Sequence, residues 1–521
     1  MDTKALRQKV LDLAIRGKLV PQDPNDEPAS VLLERIRQQK QQMVKDGKLK
    51  AKDIKNDTII FVGEDNLHYE KFANGSVKCI EEEIPFDLPE GWVWVRLSSI
   101  ADMALGKMLD VAKNKGSLRP YLRNVNVRWG TFELSDVLDM RFEDDELERY
   151  SIRHGDLVIC EGGEPGRCAV WQSEEVVFYQ KALHRVRAIE VLPEYLYYVI
   201  RHFITSTQYE RYYTGTTIKH LTGQSLQVLP IPLPPMSEQQ LIVKHLQHII
   251  GEIDKVETEK SEALSLVSLA KSKILNLAIS GQLVPQDPAD EPASVLLERI
   301  RAEKEELIKQ GKLKRDKKES VIFRGEDNSY YLRTGDLVES LEDWAFEELP
   351  DSWAICCLGE LCDYGNCLNV DTASISDSAW ILDLEDIEKD SGVVLRKVRK
   401  SERNAASTKH FFHRGQVLYS KLRPYLNKVV LSDEDGYCTS EILPLEFERN
   451  VLPQYARYYL MSPVFLEYAN KCSYGVKMPR LGTIDGKKSI ISIPPIEEQK
   501  RIVFAIEQAF TQLAAITRNL L

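Results

Sequence analysis

Residues 11–50 read LDLAIRGKLVPQDPNDEPASVLLERIRQQKQQMVKDGKLK, and residues 275–314 read LNLAISGQLVPQDPADEPASVLLERIRAEKEELIKQGKLK. The two stretches agree at 29 of 40 positions. Such agreement within one chain marks an internal repeat, and a repeat decides how many structural units are to be sought. Working outward, IFVGEDN at 60–66 matches IFRGEDN at 322–328, and LPEGW at 88–92 matches LPDSW at 349–353. HGDLV at 154–158 matches RGQVL at 414–418, LPEYLYY at 192–198 matches LPQYARY at 452–458, and PPMSEQQLIV at 234–243 matches PPIEEQKRIV at 494–503. Between these anchors the halves diverge, most strongly near 100–150 and 360–410. The chain is therefore a frame used twice, carrying two different inserts.

The long exits from the inserts have a helical seam. From Ile242, apolar residues recur at Leu246, Ile249, Ile253 and Val256, then at Ala263, Val267, Ala270, Ile274 and Leu277, broken once by Lys260. This four-three alternation predicts a coiled-coil-like stripe. The end of the chain repeats its first half with Ile502, Ile506, Ala509, Leu513, Ile516 and Leu520, and the start repeats its second half with Leu6, Val10 and Leu13. The terminal helices together rebuild the central one, as in a circular permutation, which predicts chain ends close together and an antiparallel pair joined along the seam. Two independent helical hairpins are the alternative. A helix over 237–280 would span about 65 Å at 1.5 Å per residue. Proline fixes the approach to it, and Ser237 is a candidate cap. The lysine-rich segments 30–60 and 294–320 read as solvated helical arms or partner-contact segments.

The expected fold is α+β: two α/β domains separated by a pair of long antiparallel coiled-coil-like helices, in a pseudo-twofold repeat of circular order. The expected divisions are an N-terminal helix and arm at 1–87, a first domain at 88–235, a central helix and arm at 236–348, a second domain at 349–495 and a last helix at 496–521. At 521 residues the chain is long enough for two or more cores. Ordinary apolar (43%) and charged (29%) fractions place it among globular proteins. No apolar run reaches the roughly 20 residues of a membrane helix, and no signal-peptide core opens the chain, so a cytoplasmic location is expected. Nine irregularly spaced cysteines read as reduced thiols. Cys356, Cys357, Cys362 and Cys367 lack zinc spacing, and adjacent cysteines on a strand point to opposite faces.

Catalytic motifs are missing. GTIDGKKS at 482–489 falls one residue short of a phosphate loop and has lysine where the metal-binding hydroxyl belongs. There is no dinucleotide fingerprint, no His-Glu-x-x-His, no Gly-x-Ser-x-Gly, and none of the Pro-Pro-aromatic tetrapeptides with which amino-methyltransferases of DNA hold their target base. No catalytic residue, metal or cofactor is expected.

The inserts do carry a signal. The net charge is −11, which does not exclude DNA binding because phosphates respond to the local field. Residues 105–130 set Lys107, Lys113, Lys115, Arg119, Arg123 and Arg128 against Asp110 alone, interleaved with Tyr121, Asn124, Asn126 and Trp129. Residues 394–430 set ten cations, among them Arg396, Lys397, Arg399, Lys400, Arg403, Lys421 and Arg423, against Glu402, with Tyr425 beside them. Two Gly-led basic turns occupy equivalent places: GTTIKHL at 215–221, with Thr217, Lys219 and His220, and GVKMPRL at 475–481, with Lys477 and Arg480. Arginine and lysine meet phosphates or guanine edges, and asparagine pairs with adenine. Lys113, Lys115, Lys397 and Lys400 suit phosphate, whereas Arg119, Arg123 and Arg423, around the two RPYL tetrapeptides, either read bases or brace the domain.

RPYLRNVNV followed by HGDLVICEGGEPGRCAV, RGQVLYSKLRPYLNKVV, and the exits PLPPMSEQQ and SIPPIEEQK resemble the recognition domains of specificity subunits of type I restriction-modification systems. The resemblance covers almost the whole chain. It implies a non-catalytic subunit that binds double-stranded DNA at a split target, one half read by each variable domain. It further implies two methyltransferase subunits held by the helices, with restriction and translocase subunits joining the complex. The charged arms go beyond the minimal pattern of that family. A stand-alone DNA-binding or scaffolding protein is the alternative.

Overall fold

The computed structural model describes residues 2–520 except 56, 109, 111, 207–209, 216–218, 312–319, 328, 342–348 and 404–406. Helices and strands are mixed along the chain, which divides into two compact units, Met1–Glu259 and Lys260–Leu521. The boundary falls within one helix, Met236–Ile279, whose 44 residues match the length read from the sequence.

Unit 1 opens with helix Thr3–Ile15, capped by Asp2, whose carboxylate accepts a hydrogen bond from the Ala5 amide at 2.9 Å. Gly17 then turns the chain at φ +64°, and a Cβ there would lie 2.4 Å from Pro89 Cγ. Gly281 repeats the turn in unit 2 at φ +73°, with Pro350 Cγ 2.5 Å from the corresponding point. Only glycine meets both demands, which accounts for LAIRG and LAISG in the repeat.

One face of each arm is neither solvated nor left free for a partner, because it packs into its own unit. Helix Ala29–Lys45 buries Ala29, Leu32, Leu33 and Ile36 against Trp92, Trp94 and Val95 of its own unit. Its one buried lysine, Lys40, donates to the Ser98 carbonyl and pairs with Asp57, both at 2.6 Å. Helix Ala293–Lys309 buries Ala293, Leu296, Leu297 and Ile300 in the same pattern. The polar residues that suggested a solvated arm cover only the outer face. Leu32→Ala should cost about 2–5 kcal/mol, while Val31→Ala, at an exposed neighbour, should stay within about 0.5 kcal/mol. Denaturant unfolding followed through tryptophan fluorescence checks this; equal midpoints would mean a solvated arm.

Each arm helix is followed by a three-stranded antiparallel meander that the sequence reading did not anticipate: Ile59–Val62, His68–Lys71 and Val77–Cys79 in unit 1, and Ser320–Arg324, Tyr330–Thr334 and Leu337–Ser340 in unit 2. A buried ion pair anchors the first. Arg96, 3% exposed, donates to Glu70 at 3.0 and 2.7 Å and to Glu83 at 2.8 Å, while Thr58 donates to Glu70 at 2.6 Å.

The inserts are closed modules. Strand Val93–Arg96 pairs antiparallel with Pro230–Leu233, and Ala354–Cys357 with Ile490–Ile493, so each insert leaves and rejoins the frame at one ladder. In insert 1, one four-stranded sheet runs Cys168–Val170, Leu157–Cys160, Leu183–Ala188, Ala101–Leu105, and a second runs Leu138–Phe142, Ser117–Leu122, Val177–Tyr179, Ser151–Ile152. Insert 2 has a three-stranded and a five-stranded sheet in the same roles. Cys356 and Cys357 point into different cores, as adjacent strand residues must, and burial pushes the Cys356 thiol well up.

The matched anchors meet in space within each unit. Trp92 Nε1 donates to Glu238 at 2.7 Å and Gln22 to the other oxygen at 3.2 Å; Trp353 and Gln286 do the same to Glu498 at 3.1 and 2.7 Å. Gln239 accepts from the Leu192 amide and donates to Pro234, as Gln499 does with Leu452 and Pro494. Tyr195 donates to Pro232 and Tyr455 to Ser492. The repeated motifs are one polar node, built twice. Ser237 is not the cap, because the helix begins one residue earlier, at Met236, and the Gln239 amide already donates to the Pro235 carbonyl at 2.9 Å.

The expected stripe divides. Ile242 and Leu246 are buried in the core of unit 1, and Ile502 and Ile506 in that of unit 2. Ile253 is buried and Ile249 and Leu513 half-buried, but Val256 is 39% and Ile516 48% exposed. The first turns thus face their own unit's core. Within unit 1, Arg7 of the first helix pairs with Asp254 and Glu257 at 2.7 and 3.2 Å; Lys271, at the equivalent repeat position, sits 5.6 Å over the Phe510 ring in unit 2. Among the described residues, no helix is long and apolar enough to cross a membrane.

Candidate nucleic-acid interface

The structure sorts the cations of both inserts by what they touch. In insert 1, Lys107 is buried, pairs with Glu146 and lies over the Phe142 ring at 5.3 Å. Arg123 pairs with Asp136 at 2.7 Å. Tyr121 is buried, and Asn126 is a buried cap that accepts from the Arg123 amide at 2.9 Å. Lys113 is 85% exposed with only a loose 3.4 Å contact to Asp110, and Lys115 is exposed. Arg128 is exposed, and Arg119 is half-buried with an unpartnered Nε.

In insert 2 most of the local charge is balanced from outside the basic stretch. Arg396 and Arg403 grip the buried Asp386, at 2.9 and 2.6 Å. Burial works to raise the Asp386 carboxyl, but hydrogen bonds from Arg403, the Asp383 amide and Arg396 outweigh it and hold the group below the ordinary carboxylate range. Lys397 pairs with Asp433 at 2.7 Å, Arg399 with Glu434 at 3.0 Å, and Lys400 donates to the Ile375 carbonyl at 2.6 Å. Arg480 meets Glu441 at 3.0 Å. A charge count confined to 394–430 misses Asp383, Glu385, Asp386, Asp433 and Glu434, and so overstates the field. Counting the acids that flank the window would have found them. Among the described residues, no ion pair within 4 Å engages Lys421, Arg423 or Lys477.

These three lie on two adjoining loops. The turn Tyr474–Arg480 is closed by reciprocal backbone bonds at 3.1 and 2.9 Å. It is joined to loop 421–428 by Arg423 N to Pro479 O at 2.7 Å and Leu481 N to Lys421 O at 3.0 Å. Insert 1 repeats the arrangement. Thr214 and His220 close a turn with two bonds of 2.9 Å, and the Leu221 amide donates to Glu161 of loop 161–167 at 2.8 Å. Lys219 and His220 are exposed there, and Thr217 lies outside the described residues. Asn124 donates to Gly162 at 3.2 Å and Trp129 to Glu164 at 2.8 Å, which brings part of the first basic stretch to the same loop.

The two RPYL tetrapeptides are not equivalent. Arg119–Leu122 is part of a strand, whereas Pro424–Leu426 forms a single 3-10 turn between two left-handed residues, Arg423 at φ +51° and Asn427 at φ +47°. The third residue of the matching loop in insert 1 is also left-handed, but it is Gly163 at φ +78°; Gly166 at φ +91° stands opposite Asn427. Left-handed arginine costs roughly 1–2 kcal/mol that glycine would not.

Comparison with known proteins agrees with this architecture. The model of the type I restriction modification DNA specificity domain matches residues 89–265 and 350–521, one copy per insert. The chain is 28% identical over 419 residues to the EcoAI specificity subunit of Escherichia coli and 27% over 420 residues to the EcoEI subunit of the same species, covering 70% and 69% of this chain. It spans 63% and 61% of the length of those two relatives. A solved chain from work on complex assembly and conformational transition of the type I R-M system shares the fold, with a TM-score of 0.57 at 18% identity over 84% of this chain and 94% of that one. With the family's domain matched twice and covering most of both units, the chain belongs to the type I restriction-modification specificity family.

Proposed function

We propose that this chain is the DNA-reading subunit of a type I restriction-modification complex: each unit reads one half of a split duplex target, and partner methyltransferase and restriction subunits carry the chemistry. One observation supports this most. At the same place in both units, a closed turn lies hydrogen-bonded against a loop with left-handed residues, on two scaffolds whose surface residues differ. A repeated frame with different loops suits two half-sites of different sequence, because base contacts specify while phosphate contacts only position. The frame, identical in its Trp-Glu-Gln node, suits partners that meet each half alike.

Phosphate contact falls to the cations that no carboxylate holds. Lys477→Ala and Lys115→Ala should each flatten the plot of log affinity against log salt for bulk duplex DNA by about one unit. Lys397→Ala and Lys400→Ala, whose charges are occupied by Asp433 and by Ile375 and Asp377, should change the slope little. Titrations of fluorescent duplex at several salt concentrations read this directly. Unchanged slopes for Lys477→Ala and Lys115→Ala would remove the turn Tyr474–Arg480 and the segment leading into strand Ser117–Leu122 from the interface.

A further inference from the structure

The two paired loops differ in one respect that the frame does not explain. Loop 161–167 of insert 1 puts glycine at both left-handed positions, whereas loop 421–428 of insert 2 puts Arg423 and Asn427 there. Non-glycine residues held in the left-handed region cluster where a side chain has a task besides folding. The Arg423 Nε is buried without a hydrogen-bond partner, and no carboxylate pairs with its guanidinium among the described residues. Its backbone is fixed by the 2.7 Å bond to Pro479, at the base of the neighbouring turn. At the apex of that turn Val476 is fully exposed, with Tyr474 62% and Met478 45% exposed beside it. A valine with no packing partners contributes nothing to the fold. The apex is nonetheless held firmly: Arg480 bridges the Met478 carbonyl and the Glu441 carboxylate, at 3.2 and 3.0 Å.

We propose that Arg423 and Val476 are specificity-determining residues of the second half-site, reading neighbouring bases from the major groove, with Arg480 as the positioning residue that holds the apex. This deepens the DNA-recognition reading above and rests on it. The chemistry assigns the targets: a guanidinium fits the O6 and N7 acceptors of guanine, and an exposed aliphatic group fits the 5-methyl of thymine. The glycine-rich loop of insert 1 has no exposed aliphatic group, and its arginine, Arg167, is held by Glu164 at 2.7 Å and the Asn124 carbonyl at 2.9 Å, so the half-site read by unit 1 would be recognised by other side chains.

The test is selection from a randomised duplex pool by the full-length chain, with Arg423→Gly, Arg423→Asn and Val476→Ser run in parallel and thermal unfolding recorded for each. Both Arg423 variants suit the left-handed backbone, so neither should lower the unfolding temperature. The wild type should enrich two sequence blocks. The Arg423 variants should keep one block and lose preference for guanine at one position of the other, by about tenfold or more. Val476→Ser should lose a thymine preference in that same block. Uracil in place of that thymine should weaken the wild type and leave Val476→Ser unaffected. Enrichment of the wild-type sequence by all three variants would overturn the proposal, as would a destabilised Arg423→Gly that loses both blocks, since Arg423 would then be a brace. Failure of the wild type to enrich any sequence would sink the DNA-recognition reading itself.

Discussion

Exchange of residues 97–229 for the corresponding segment of another member of the family should replace one half of the DNA target and leave the other half unchanged. The segment runs between the strands Val93–Arg96 and Pro230–Leu233, whose antiparallel ladder closes the insert on itself. Cutting there leaves the Trp92–Glu238–Gln22 node and the arm helix in place, so the frame should accept the new insert. The effect should be large. Each mismatched base pair costs about 1–3 kcal/mol, so a half-site of three changed bases should lose at least about a hundredfold in affinity. Selection from randomised duplex before and after the exchange reads the outcome. A change in both halves would show that the inserts do not act separately.

The second large effect concerns stability. Glu70→Ala should destabilise unit 1 by about 3–5 kcal/mol, because it strands a buried guanidinium. Arg96 is buried and donates two hydrogen bonds to Glu70; Glu83, the remaining carboxylate, is more exposed. The same pair sets a pH dependence. Burial works to raise the Glu70 carboxyl, but hydrogen bonds from Arg96 and Thr58 and the charge of Arg96 overcome it, leaving the group below its ordinary value of 4.5. A carboxyl lowered by folding stabilises the native state above its unfolded value, and that contribution disappears as the pH falls through the folded one. The wild type should therefore lose stability below about pH 4.5, whereas Glu70→Gln should start weaker and decline less steeply over the same interval. Chemical unfolding at a series of pH values separates the two. Parallel curves would mean that Glu70 is not ionised in the folded protein.

Much of the frame was legible because its constraints are local or repeated. Glycine at 17 and 281, Trp92 and Trp353, and the Glu-Gln pairs at 238–239 and 498–499 stand out as matches, and each proves to be part of one node. The 44-residue helix followed from its apolar spacing. The arms misled because their sequence is rich in lysine and glutamine, while the stripe of Leu32, Leu33 and Ile36 that buries them is narrow. The meanders were missed because their strands are only three to five residues long and partly exposed. The candidate interface was legible only in outline. Local sequence shows which residues are cationic but not which carboxylates the fold brings to them, and Asp433 reaches Lys397 across 36 positions. A left-handed arginine inside RPYL has no sequence signature, since the same four letters form a strand at 119–122.

The central claim is that two units on one repeated frame read two separate DNA sequences. Selection of bound fragments from a randomised duplex library by the full-length chain tests it most directly. The account predicts enrichment of two unrelated short blocks separated by a gap of constant length and free sequence, each block weakened independently by changes in one insert. A single uninterrupted block, or two copies of the same block, would contradict it.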